Sequence, residues 1–295
     1  MDLRRTAITC AIVLSSLAGL PACTDTSTDT AGTIALPHET ILVNHVSTRL
    51  TAIPDLYLQK AKRELRIAYG HTSHGSQLVD GMQGLANTRG VKYAVNATGA
   101  DSALILHDTP FAGASDLGNP DLSAWASATR TYLDTHPDIT VIMWSWCGQV
   151  SSASAADIEQ YLSLMNGLER AYPNVHFIYM TGHLDGTGLK GNLHLRNEQI
   201  RTYCADNKKA LYDFEDIESY DPGGTYFGDR SPNDNCDYDS DGNGSKDRNW
   251  AADWQSAHPG EWYGCGAAHT QPLNANQKAY AAWSLWARLV GWNGQ

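Results

Sequence analysis

Short apolar runs rich in β-branched and aromatic residues alternate along this chain with longer stretches of helical period, the pattern produced by βαβ units around a mostly parallel sheet. Five strands are predicted, Leu65 to Tyr69, Lys92 to Asn96, Ile139 to Trp144, Val175 to Met180 and Ala210 to Phe214. Helices are predicted near Gln77 to Asn87, Leu122 to Asp134 (after a long loop), Ala155 to Arg170 and Asn192 to Asp206. A last helix starts at Pro272, where Ala279, Ala282, Trp283, Trp286 and Leu289 recur at the spacing of one buried face. The fold class is therefore α/β, with a five-stranded mostly parallel sheet and a loop-rich insertion, 216–268, before the last helix. In such sheets ligands sit at the carboxyl ends of the strands, so chemistry is expected in the loops that follow them.

The amino terminus breaks this pattern. Arg4 and Arg5 precede an apolar run from Ala7 to Leu20, too short for a spanning helix but suited to a signal peptide over 1–22. Leu20-Pro21-Ala22-Cys23 fits a bacterial lipobox, which makes Cys23 the predicted lipidation site. The Thr-, Asp- and Ser-rich stretch that follows cannot bury enough surface to fold, so 23–40 reads as a tether and 41–295 as one domain. The expected protein is exported and meets a membrane only through its lipid.

Charge narrows the partner. With 32 acidic against 21 basic side chains and a formal charge of −11, nucleic acid is disfavoured, because it is bound largely through Lys and Arg. A polysaccharide or a small neutral ester fits better. Nine Trp and fourteen Tyr against four Phe suit a sugar-binding surface and core packing equally. Cys147, Cys204, Cys236 and Cys265 remain in the folded part, an even number that in an exported setting favours disulfides. Cys236 and Cys265 flank the insertion and are the favoured pair.

Polar residues gather in the loops after the strands. The first strand runs into Gly70-His71-Thr72-Ser73-His74-Gly75-Ser76-Gln77 and then a helix, a turn that exposes a serine beside free backbone N–H groups. Asn96-Ala97-Thr98-Gly99, Trp146-Cys147-Gly148-Gln149 and Gly182-His183-Leu184-Asp185-Gly186 follow later strands, and His269-Thr270-Gln271-Pro272 precedes the last helix. Four histidines, His71, His74, His183 and His269, thus fall at one edge, where they form a functional pocket or hold a metal.

This order of loops resembles the SGNH (GDSL-like) hydrolases over the whole mature domain. The resemblance implies a flavodoxin-like three-layer α/β/α fold and a serine esterase, with Ser73 as nucleophile, His269 as base, and Gly99 and Gln149 completing the oxyanion site. His71 and His183 are further candidates for catalysis; His74, Ser76, Asp185 and Trp146 are candidates for substrate binding, with Ser76 also a rival nucleophile. Gly266 stands where the family has an aspartate three residues before its histidine, leaving Asp185, Asp253 or Glu261 as substitutes, or a Ser-His dyad with a backbone carbonyl holding the imidazole. The implied reaction is removal of ester groups, such as acetyl, from a carbohydrate. Cleavage of a polysaccharide by the histidine cluster and glycan binding without catalysis stand as alternatives.

One other motif carries chemistry. Asp237, Asp239, Asp241 and Asp247 lie in a D-x-D-x-D-G run whose alternating carboxylates and glycine resemble the first half of a Ca²⁺ loop. Arg248 occupies the twelfth position, where an EF-hand has glutamate. A structural Ca²⁺ that orders the insertion is the expectation.

Overall fold

The computed structural model describes residues 40–295; the signal peptide, Cys23 and the tether before residue 40 lie outside the described residues. No described helix is long and apolar enough to cross a membrane.

Seven strands form one parallel sheet: β1 (Ile41–Val43), β2 (Arg66–Gly70), β3 (Val95–Asn96), β4 (Leu104–Asp108), β5 (Val141–Trp144), β6 (His176–Met180) and β7 (Ala210–Tyr212). Their spatial order is β1-β7-β6-β5-β2-β4-β3. Successive side chains of a strand point to opposite faces, and here both faces are covered. Ile67, Tyr69, Val141, Met143, Ile178 and Met180 pack with Leu58 of α1 (Asp55–Glu64), Leu78 and Met82 of α2 (Ser73–Arg89) and Trp283 and Trp286 of the last helix, Pro272–Leu289. Ala68, Ile142, Trp144, Phe177 and Tyr179 turn the other way, toward α3 (Ala124–Thr135), α4 (Ala155–Ala171) and α5 (Asn192–Asp206). The result is a three-layer α/β/α fold.

The sheet has two strands more than the sequence pattern predicts. β1 is only three residues long, and β4 lies in the stretch read as a loop, because its apolar Leu104 and Leu106 run on into polar His107 and Asp108. Of Lys92 to Asn96 only Val95 and Asn96 are extended, Val91–Tyr93 being a 3-10 turn. β4 thereby takes the place beside β2, and β3 moves to the sheet edge. Helix α2 starts at Ser73 rather than Gln77, so the serines of the expected turn lie in its first helical turn.

The insertion is less irregular than its composition suggests. It holds α6 (Phe214–Glu218), a hairpin of β8 (Asp237–Tyr238) and β9 (Arg248–Asn249), and α7 (Trp250–Ala257), ahead of α8 (Pro272–Leu289). Phe227, Cys236, Tyr238, Trp250 and Leu273 give it a small core of its own. The expected Cys236–Cys265 disulfide is not formed; Cys147, Cys204, Cys236 and Cys265 are all free thiols. Cys236 Sγ instead lies 3.4 Å from Thr270 Oγ1, and Asn276 Nδ2 donates to Cys265 Sγ at 3.4 Å. Trp125, Trp144, Trp146, Trp250, Trp283, Trp286 and Trp292 are buried, so most of the tryptophan serves packing and not a sugar-binding face.

Candidate active site

The carboxyl ends of β2, β5 and β6 meet over the start of α2. β2 can turn directly into that helix because of two glycines: a Cβ on Gly70 would lie 2.2 Å from the Trp144 ring, and one on Gly75 would lie 2.3 Å from Ser145 Oγ. The close approach presses the helix start against the end of β5. The N–H groups of Ser73, His74 and Gly75 have no partner within the helix, the first intrahelical bond being from Ser76 N to Thr72 O at 3.1 Å. They are free to donate to an anion at the helix start.

His74 sits at the centre of the site. Its Nδ1 lies 3.4 Å from Cys147 Sγ, and its Nε2 lies 3.0 Å from Asp234 Oδ2. Its ring is stacked between two others, with His183 at 3.6 Å between centroids and 3° between planes, and His269 at 4.5 Å and 14°. Burial works against protonation of His74, but the Asp234 hydrogen bond, the Cys147 contact and the negative charge of Glu218 outweigh it and raise its pKa. Burial likewise opposes ionisation of Cys147, yet the hydrogen bond with His74 and those with Thr72 and Ser73 bring its pKa below the ordinary thiol value. Asp234 is also lowered, its bond to His74 prevailing over burial. His183 is lowered, chiefly by burial.

Asp234 belongs to the insertion, 160 residues from His74 in sequence. The turn that carries it is fixed by Asp237, which accepts from Asn235 Nδ2 at 2.9 Å and from Asn249 Nδ2 at 2.8 Å, and by a bridge between Asn233 and Asp185. Asp237 therefore positions Asp234. Asp239 and Asp247 are likewise turned onto the N–H groups of their own loop, from Gly242, Gly244 and Ser240. Among the described residues the only three donor groups within 4.8 Å of one another are His74, Asp234 and His269. The run from Asp237 to Asp247 thus fits Ca²⁺ poorly as it stands, and no step is derived through a cation there. In the group of His74, Asp234 and His269 the two rings are stacked at 14° between planes, which is not the convergent arrangement that ligands of one ion take.

A buried chain braces the stack from beneath. Lys278 of α8 is fully buried and bonds both Gln77 and Glu218, the latter at 2.5 Å. Gln77 Nε2 donates to Ala268 O at 2.5 Å, and Leu184 N donates to Glu218 Oε2 at 2.8 Å. These bonds fix the backbone next to His269 and His183. His269 is exposed and has a positive φ of 64°, a strained conformation for a side chain of its type.

The expected site residues divide accordingly. Ser73, His74, His183 and His269 come together, but among the described residues no hydrogen bond joins Ser73 to His269; Ser73 Oγ has Cys147 Sγ as its neighbour at 3.8 Å. Ser76 Oγ is tied to Ser73 O at 2.9 Å and Asp80 Oδ2 at 3.2 Å. His71 turns aside to Asp108 Oδ1 at 2.6 Å. Gln149 lies at the rim, its Oε1 accepting from Cys147 N and its Nε2 donating to Asp116 Oδ1. Gly99 follows the edge strand β3, two strands from β2, and packs on Ile105. Trp146, expected to bind substrate, is 2% exposed and donates to Met180 O, so it belongs to the core. Asp185 bonds Thr187, and Asp253 pairs with Arg248. A Cβ on Gly266 would lie 2.7 Å from Asp80 Oδ2, which disfavours an aspartate there.

Cys147 and Asp234 were not legible as site residues. Cys147 carried a signal, being a cysteine directly after a buried parallel strand, but an exported setting draws all cysteines toward disulfides. Asp234 carried none. No protein-family model matches the chain, and no curated protein is similar to it.

Proposed function

We propose that the chain is an ester hydrolase that removes short acyl groups from a neutral, polar alcohol, of which an O-acetylated polysaccharide is the leading case. The observation that carries this reading is His74, held between Cys147 of the loop after β5 and the carboxylate of Asp234. In hydrolytic acyl transfer such an imidazole takes a proton from the nucleophile and returns it to the leaving alcohol, while a carboxylate fixes its orientation. The N–H groups at the start of α2, the helix that carries His74, have no partner within the helix and suit the oxyanion. The net charge of −11 disfavours an anionic substrate. Export and lipid attachment at Cys23 remain part of the proposal and place the substrate outside the cytoplasm.

The test is release of acetate from acetylated polysaccharides and from a small acetyl ester, with His74→Gln as the control that loses it. Shortened or unsaturated oligosaccharides in place of acetate would overturn the reading in favour of backbone cleavage.

A further inference from the structure

We infer that Cys147 is the nucleophile of this site, with His74 as its proton acceptor and Asp234 as the carboxylate that orients the ring. The inference deepens the esterase reading and rests on it for the substrate, but the reactivity of the thiol can be measured without any ester.

Three observations separate Cys147 from the serines. The two nitrogens of one imidazole are divided between Cys147 Sγ, at 3.4 Å, and Asp234 Oδ2, at 3.0 Å, the arrangement in which a ring can accept a proton on one side while a carboxylate steadies it on the other. Ser73 Oγ has no such base; its partner is the sulfur itself, at 3.8 Å, to which it can donate once the sulfur is a thiolate. Ser76 is committed to Ser73 O and Asp80. Exposure excludes Cys204 and Cys236, which are buried, and leaves Cys147 and Cys265, both half-buried.

The electrostatics fit a thiolate–imidazolium pair. Cys147 faces His74, Thr72 and Ser73 from the turn and start of α2; His74 in turn faces Asp234 of the insertion, His183 after β6, His269 before α8 and the charge of Glu218 from α6. The other thiols are in the opposite state: burial pushes Cys265 up to about 11 and Cys236 up to about 12, and it raises Cys204 further.

The chemistry balances with water as the only co-reactant. The Cys147 thiolate attacks the ester carbonyl, and its electron pair becomes the new S–C bond. As the C–O bond breaks, the His74 imidazolium gives its proton to the departing alkoxide. Water then attacks the thioester, His74 takes one of its protons, the C–S bond breaks, and the carboxylic acid leaves with the thiolate–imidazolium pair restored.

The test has two arms on the full folded chain. In the first, iodoacetamide is reacted at pH 5.5 to 8 and each cysteine followed by peptide mass spectrometry. Cys147 is expected to be alkylated at least tenfold faster than Cys265 at the acid end, and His74→Gln to abolish that advantage. Equal, slow alkylation of Cys147 and Cys265 would overturn the inference. In the second arm the protein is quenched during turnover of an acetyl ester. The acetyl group is expected on the peptide containing Cys147, labile to hydroxylamine, in wild type and in Ser73→Ala, and Cys147→Ala is expected to lose turnover by about a thousandfold or more while Cys265→Ala keeps it. An adduct on Ser73, or full turnover by Cys147→Ala, overturns the inference and leaves the esterase reading intact. Selective alkylation without turnover of any ester does the reverse.

Discussion

Two buried polar clusters lie at the carboxyl edge of the sheet, and they differ in how many of their bonds are closed. Beyond β6 and β7, Arg201 forks onto Asp213 at 2.6 and 2.7 Å and reaches Glu215 at 2.8 Å. Glu215 is completed by His194 and Asn197, each at 3.0 Å, and Asp213 by Thr181. Every charge there has an opposite charge and a full set of hydrogen bonds. The cluster at β2 and β5 has loose ends: a half-exposed thiol, a serine whose hydroxyl has, among the described residues, that thiol as its one hydrogen-bond partner, an exposed histidine at positive φ, and His183 Nε2 buried without a partner. Burial sets both clusters up to perturb pKa values, so perturbation alone does not mark an active site. A satisfied network holds elements together; one with unspent donors and acceptors can take up a substrate.

The sharpest way to break this contrast is Asp234→Asn. It keeps the shape of the turn but replaces the carboxylate that orients His74, and turnover is expected to fall on the order of 10⁴-fold, as when the carboxylate of a triad is neutralised. The same exchange at Asp213 should leave turnover per folded molecule within a fewfold. If Asp234→Asn hydrolyses esters at the wild-type rate, the open cluster is not the catalytic one.

The contrast also explains what could be read from the chain. β5 and β6 were legible because they are continuous apolar runs bounded by turns, and the α2 turn was legible because its polar residues are consecutive. β4 was hidden, since a strand ending in His107 and Asp108 looks like a loop until its neighbours are known. The site suffers from the same locality. His74 could be placed at a strand end, but its partner arrives from an insertion whose turn is built by Asn235, Asp237 and Asn249, and the acidic run that suggested Ca²⁺ includes the residue that aims Asp234. Ser73 drew attention from a resemblance of loop order. The hydrogen bonds that distinguish it from Cys147 depend on the loop after β5, which no local pattern reveals.

The second prediction tests the closed cluster. Arg201→Met leaves Asp213 and Glu215 buried, at 3% and 5% exposure, without their cation. Removing one partner from such a pair costs about 3–5 kcal/mol, and because the Arg201 side chain is 20% exposed the lower end applies. Urea unfolding should show the loss, and Cys147 alkylation at acid pH should stay as in wild type. A slowed Cys147 in a folded Arg201→Met protein would mean that the two clusters act as one.

A pH-dependent effect lies at the opposite edge of the sheet, at the first residue of β6. His176 is buried at 4% exposure, and its Nε2 has no hydrogen-bond partner. Burial alone drives its pKa from 6.5 down to about 4, in contrast to His74, where a carboxylate overcomes burial. The unfolded chain therefore binds a proton that the folded chain refuses between these two values. A depressed pKa of this kind contributes stability that is complete above pH 6.5 and is lost as pH falls toward 4. The fall from 6.5 to about 4 corresponds to a loss of about 3 kcal/mol. His183 acts in the same direction and His74 in the other, so the measurement is a difference: urea midpoints of wild type and His176→Phe at pH 7, 6, 5 and 4.5. The phenyl ring keeps the packing and cannot titrate, so the variant should lose less stability on acidification than the wild type does. Parallel curves would show that His176 finds a partner for its proton, and the amino edge of the sheet would then be less dry than its apolar surroundings indicate.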